Sequence, residues 1–130
     1  MHTILVVEDE KPIQEIVVDI LKQNGFTPFT ADTVDEAISA LEKHRVFDAI
    51  WLDHYLTGKK LGTDFVAEIK QNNKWKNIPI FVVSNTGGPE KFDTYVQLGI
   101  AKYYVKAEHR LKKIVREIKE YLDNGKTQIS

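Results

Sequence analysis

Hydrophobic positions along the chain follow two alternating rhythms. Thr3–Val7 is a continuous apolar, β-branched run, as expected of a strand buried on both faces. It stops on Glu8-Asp9-Glu10, and Pro12 suits the first turn of a helix. Ile13, Ile16, Val17, Ile20 and Leu21 then recur at helical spacing as one buried stripe, closed by Asn24-Gly25. The same succession repeats. Phe26–Thr30 reads as a shorter strand, and Asp32 or Thr33 caps a helix with Val34, Ala37, Ile38 and Leu41 on its core face. Phe47–Leu52 is a third strand, and Phe65, Val66 and Ile69 mark the helix after it. A polar connection over Gln71–Asn77 holds Trp75, and Ile78–Val83 is a fourth strand with proline tolerated near its start. After Gly87-Gly88-Pro89, Glu90–Leu98 is a helix with Phe92, Tyr95 and Val96 turned inward, stopped by Gly99. Ala101–Val105 is the fifth strand. Leu111, Ile114, Val115, Ile118 and Leu122 define a last helix before a polar tail.

This alternation predicts a (βα)5 chain folded as a three-layer α/β domain, a parallel sheet with helices on both faces. In such a sheet the carboxyl ends of the strands share one edge, where ligands sit. Four of the five strands end on a group with chemistry: Glu8/Asp9, Asp53, Ser84 and Lys106.

Composition narrows the function. The 130 residues suffice for one compact domain, with 42% hydrophobic and 28% charged residues. The net charge of −1 makes no case for nucleic acid or an anionic membrane. The basic residues of the last helix are interrupted by Glu117 and Glu120 and read as a solvated face. No apolar run is long enough to span a membrane. Cysteine is absent, which excludes thiol chemistry and fits a reducing cytoplasm.

Three carboxylates at one edge repel one another, and a hard divalent cation relieves that repulsion. Mg²⁺ suits a site with few carboxylates, several waters and a phosphate oxygen. Lys106 adds a compact positive charge and Ser84 a hydroxyl. Together these groups suit a phosphoryl group in transfer, with Asp53 as the attacking oxygen.

Val-Val-Glu-Asp-Glu at 6–10, Asp-Ala-Ile-Trp-Leu-Asp at 48–53, Pro-Ile-Phe-Val-Val-Ser at 79–84 and Tyr-Tyr-Val-Lys at 103–106 lie in order on the strand ends. In this the chain resembles a response regulator receiver domain of two-component signalling, from Thr3 to about Leu122. The resemblance implies a doubly wound, flavodoxin-like parallel sheet of five strands in the order 2-1-3-4-5. It implies a receiver domain over 1–124 and a polar C-terminal tail over 125–130. Asp53 resembles the phosphoacceptor, Asp9 a direct Mg²⁺ ligand and Glu8 its acidic neighbour, with the backbone carbonyl of Tyr55 completing the metal ligands. Ser84 resembles the switch hydroxyl, Tyr103 the switch aromatic, and Lys106 the lysine that bonds the phosphoryl oxygens.

The implied partners are a histidine kinase or histidine phosphotransfer protein and a downstream protein target, with a phosphorylation-dependent dimer also compatible. Such a protein phosphorylates and dephosphorylates itself rather than turning over a substrate. No output domain is expected after Leu122, so the chain reads as a stand-alone regulator or as the receiver of a longer protein. There are departures from the family pattern. Ala107 replaces the usual proline, Asn85 the usual small residue and Thr57 a common proline, and the Gly58–Gly62 loop is about one residue longer than in many receivers. Tyr55 and Thr86 stand where the family tunes its dephosphorylation rate, and a bulky Tyr55 implies hindered hydrolysis. These departures keep open a pseudo-receiver, an interaction module without phosphorylation. A flavin-type binder is disfavoured by the acidic first loop, and an aspartyl-phosphate phosphatase by Tyr55 in place of a second acid. His54 is read as an exposed loop histidine and Trp51 as core or partly covered surface.

Overall fold

In the computed structural model, residues 2–43, 46–54, 61–84, 89–105 and 110–124 are described, those at 89–91 by backbone only. The elements alternate throughout: β1 (Thr3–Val7), α1 (Lys11–Gln23), β2 (Thr27–Ala31), α2 (Val34–Lys43), β3 (Ala49–Asp53), α3 (Gly62–Lys70), β4 (Ile80–Ser84), α4 (Pro89–Leu98), β5 (Lys102–Val105) and α5 (Leu111–Asn124). All strand pairs are parallel, in the order β2-β1-β3-β4-β5. The doubly wound sheet expected from the sequence is therefore present.

Strand alternation divides the core into two layers. Leu5, Val7, Ile50, Leu52, Ile80 and Val82 pack against α2, α3 and α4 through Ala37, Leu41, Phe65, Ile69 and Tyr95. Ile4, Val6, Ala49, Trp51, Phe81, Val83 and Tyr104 face α1 and α5, meeting Val17, Leu21, Ile114 and Ile118. The central strands β3 and β4 are buried at every position, which is why their sequences are apolar up to the closing Asp53 and Ser84. Burying one such side chain contributes about 1.5–3 kcal/mol.

Two helix ends use glycine for its left-handed backbone. Gly25 has φ +86 and Gly99 φ +88. After α1, the Phe26 amide donates to Leu21 at 3.0 Å and the Gly25 amide to Lys22 at 3.1 Å. After α4, the Ile100 amide donates to Tyr95 at 3.4 Å and the Gly99 amide to Val96 at 3.0 Å. Thr33, rather than Asp32, caps α2, its Oγ1 accepting from the Glu36 amide at 3.1 Å.

Three side chains depart from the inward stripes expected. Ile16 is 49% exposed, because the buried face of α1 is centred on Gln14, Val17 and Leu21. Phe92 and Val96 are 49% and 52% exposed. Among the described side chains of α4, Tyr95 is fully buried and Leu98 packs partly buried against the same layer, since this helix covers the rim of the sheet beside the edge strand β5.

Candidate functional site at the carboxyl edge of the sheet

Register places the polar strand ends at one edge. Val7 pairs with Leu52, Asp53 with Val83, and Ser84 with Val105. Glu8, the residue after Val7, therefore comes level with Asp53, and Ser84 stands one step past the partner of Asp53. Glu8 and Ser84 are fully buried and Asp53 is 2% exposed. Asp9 is half-buried.

One carboxylate oxygen from each of Glu8, Asp9 and Asp53 lies within 4.8 Å of the other two. At that separation each ionised pair costs about 3–4 kcal/mol for an effective dielectric near 20. Oxygen ligands around an octahedral Mg²⁺ stand roughly 3–4 Å apart. The triad stands near that spacing, and its all-oxygen donors suit a hard cation. The residues present thus fit the Mg²⁺ site expected.

A second set of contacts shapes the loop carrying Glu8 and Asp9. The Glu8 amide donates to the Ala31 carbonyl at 3.1 Å, tying the loop to the end of β2. The Gln14 side-chain amide, 5% exposed, donates to the Glu8 carbonyl at 2.7 Å and to Asp32 at 2.9 Å. Lys11 pairs with Asp32 at 2.9 Å. Hydrogen bonds from Lys11 and then Gln14 hold the Asp32 carboxyl below its ordinary range. The sequence carries a signal for Gln14 that the helical reading passed over: it is a polar residue on the stripe of Val17 and Leu21, where an apolar one is expected.

His54 is not exposed. It is 6% accessible, and its Nδ1 is hydrogen-bonded to the Tyr95 hydroxyl at 2.6 Å. Alternation explains the placement: Leu52 and His54 face α3 and α4, whereas Trp51 and Asp53 face the other way. The His54 ring is accordingly turned from the Asp53 carboxylate, and this geometry leaves no support for it as a base there. Trp51 is fully buried core. Tyr103 is half-buried on the α4 side, its ring 5.7 Å from Tyr95 and 6.0 Å from Phe92. Tyr104 points to α5, where its hydroxyl donates to Glu117 at 2.7 Å. Lys106, Tyr55, Thr57, Asn85, Thr86, Ala107 and the tail over 125–130 lie outside the described residues. No helix among the described residues is long and apolar enough to cross a membrane.

The chain is similar to known proteins over most of its length. Residues 4–119 match the family model for the response regulator receiver domain. The chain is 35% identical, over 116 residues, to the phosphate regulon transcriptional regulatory protein PhoB of Escherichia coli (strain K12). That match covers 89% of this chain and 49% of PhoB, so the chain spans about half the length of this curated relative. The crystal structure of the Mn(2+)-bound form of response regulator Rcp1 superposes with a TM-score of 0.81 at 27% identity, covering 93% of this chain and 94% of Rcp1. The phosphorylated cyanobacterial phytochrome response regulator RcpA superposes with a TM-score of 0.82, also at 27% identity, with 94% of each chain covered.

Proposed function

Because the chain belongs to the response regulator receiver family, we propose that Asp53 accepts a phosphoryl group from a phosphohistidine in a Mg²⁺-dependent reaction. The donor is a histidine kinase or a histidine phosphotransfer protein. The observation that carries this reading is the meeting of the Glu8, Asp9 and Asp53 carboxylates beside the end of β4, where Ser84 sits.

In the transfer, the P–N bond of the phosphohistidine breaks as a P–O bond forms to an Asp53 carboxylate oxygen. The electron pair of the broken bond leaves with the imidazole. Glu8, Asp9, Asp53 and the Tyr55 carbonyl would hold Mg²⁺, which when bound supplies positive charge against the phosphoryl oxygens. The remaining work falls to the chain itself. Burial of Glu8 and Asp53 keeps the carboxylates out of bulk water and in place for an approaching phosphoryl group. Ser84 donates its hydroxyl proton to one phosphoryl oxygen, and the Lys106 ammonium pairs with another. Those contacts exist only when Asp53 is modified, so they supply the differential free energy a switch needs. Tyr103, on the strand next to Ser84, reports the change to the surface of α4, β5 and α5. A downstream protein in the cytoplasm, or a second copy of the chain, then reads that surface.

Mass spectrometry after incubation with Mg²⁺ and a small phosphodonor such as acetyl phosphate tests the reading. One phosphoryl mass is gained by the native chain and none by Asp53→Asn. A native chain that gains no adduct, and shows no change on adding Mg²⁺ with beryllium fluoride, overturns it in favour of an interaction module that is not phosphorylated.

A further inference from the structure

Directly behind Asp53, three elements meet on the opposite face of the sheet. The His54 ring, at the end of β3, is hydrogen-bonded to the Tyr95 hydroxyl of α4 at 2.6 Å. The two rings meet edge-on with centroids 5.5 Å apart. Gly62, the first residue of α3, donates its amide to the His54 carbonyl at 3.2 Å. A Cβ at Gly62 would collide with the Tyr95 hydroxyl and stand 3.2 Å from the His54 Cα, so the glycine leaves the room in which the two side chains meet. Tyr95 is itself held at both ends. Its carbonyl accepts the Gly99 and Ile100 amides in the last turn of α4, and its ring lies against Tyr103.

This link reaches α4 from β3, whereas the phosphoryl group would act from β4 and β5, and the two routes meet where the Tyr95 ring lies against Tyr103. Ser84 and Lys106 act on the ends of β4 and β5, the strands that flank α4 in the chain. His54 acts from β3. A hydrogen bond of 2.6 Å weakens steeply once its atoms separate beyond roughly 3.2 Å. Hence α4 cannot shift by about 1 Å relative to β3 without losing it.

Resting on the reading of Asp53 as phosphoacceptor, we infer that His54 and Tyr95 are positioning residues that latch α4 to the strand carrying Asp53. Occupation of Asp53 then works against this latch, which sets how much of the phosphoryl contact energy is left to hold the switched arrangement.

Tyr95→Phe removes the hydroxyl and keeps the ring against Tyr103. In calorimetric titrations its affinity for beryllium fluoride at saturating Mg²⁺ rises about three- to tenfold over the native chain. Its Mg²⁺ affinity alone stays within about twofold, since the carboxylate triad is untouched. His54→Phe gives a similar gain, and the double variant adds little to either. A beryllium fluoride affinity that is unchanged or weaker in Tyr95→Phe overturns the latch, as does an equal change in Mg²⁺ affinity. Amide hydrogen exchange keeps this failure apart from failure of the acceptor reading. Exchange in α4 speeds up about threefold or more in Tyr95→Phe whether or not Asp53 binds a phosphoryl analogue. Unchanged exchange in α4 overturns the latch. A native chain that binds no analogue, with α4 exchange still accelerated in the variant, overturns only the acceptor reading.

Discussion

The buried side chain of Gln14 donates a 2.7 Å hydrogen bond to the carbonyl oxygen of Glu8, and so fixes from α1 the turn that presents two of the three clustered carboxylates. Its second bond, to Asp32 at 2.9 Å, draws in the end of β2. The loop that would hold the cation is therefore braced from both sides.

Removing that brace separates metal binding from the rest of the site. Gln14→Leu leaves the Glu8 carbonyl without its amide donor and costs about 1–3 kcal/mol in chemical denaturation. Mg²⁺ affinity falls roughly tenfold or more, as for the loss of groups that orient ligands. At saturating Mg²⁺ the yield of phosphorylated Asp53 recovers. A Mg²⁺ titration of both proteins checks this, and equal affinities would remove Gln14 from the site.

Asp53→Asn abolishes the phosphoryl adduct and also stabilises the metal-free protein, because one of three mutually repelling charges is gone. A gain of about 1–2 kcal/mol, roughly 3–10 °C in melting temperature, is expected at low salt. Mg²⁺ stabilises the native chain by about 1.4 kcal/mol at ten times its dissociation constant, and stabilises Asp53→Asn less at the same concentration. Thermal melts with and without Mg²⁺ read both effects.

The packing of α3 against α4 is tested by a double-mutant cycle. Gly62→Ala pushes a methyl group into the Tyr95 hydroxyl, so it destabilises by about 1–3 kcal/mol. Tyr95→Phe withdraws that hydroxyl, and the double variant is less destabilised than the sum of the two. Additive losses would show that the crowding lies against the His54 backbone instead.

At the other end of the sheet, Tyr104, Glu117 and Lys102 tie β5 to α5, with Lys102 3.0 Å from Glu117. Burial, then the hydrogen bond to Glu117, pushes the Tyr104 hydroxyl well above its ordinary 10.0. The folded state therefore keeps this proton where the unfolded chain releases it, and stability falls as pH rises past about 10. The Glu117 carboxyl is held below its ordinary 4.5, chiefly by the Tyr104 hydroxyl and further by Lys102. Its contribution is present above pH 4.5 and is lost as pH falls through the lower folded value. Tyr104→Phe costs about 1–2 kcal/mol at neutral pH and flattens the alkaline limb of a stability-against-pH curve.

Much of this architecture was legible before any fold was known. The strands are short apolar runs and the helices amphipathic stripes, and those patterns reflect burial that every parallel α/β sheet imposes. The strand-end carboxylates and Ser84 could be picked out because strand termini share an edge whatever the packing details. Tyr95 could be placed on an inward stripe, but Phe92 and Val96 on the same stripe are half exposed, because periodicity does not say how much of a helix a sheet edge will cover.

By itself, then, the sequence determined the order of elements, the edge at which chemistry collects and the residue types gathered there, since all three follow from local hydrophobic period and chain direction. Only the tertiary structure decided what stands behind that edge. His54 and Tyr95 are 41 residues apart in the chain, and nothing local to either specifies the other. Their hydrogen bond exists because strand alternation turns His54 toward α4 and because Gly62 has no side chain to block the approach. Gln14 likewise reads as a misplaced polar residue until the fold brings the Glu8 carbonyl and Asp32 within reach of its amide. A buried polar group needs a partner, and only the folded packing supplies it.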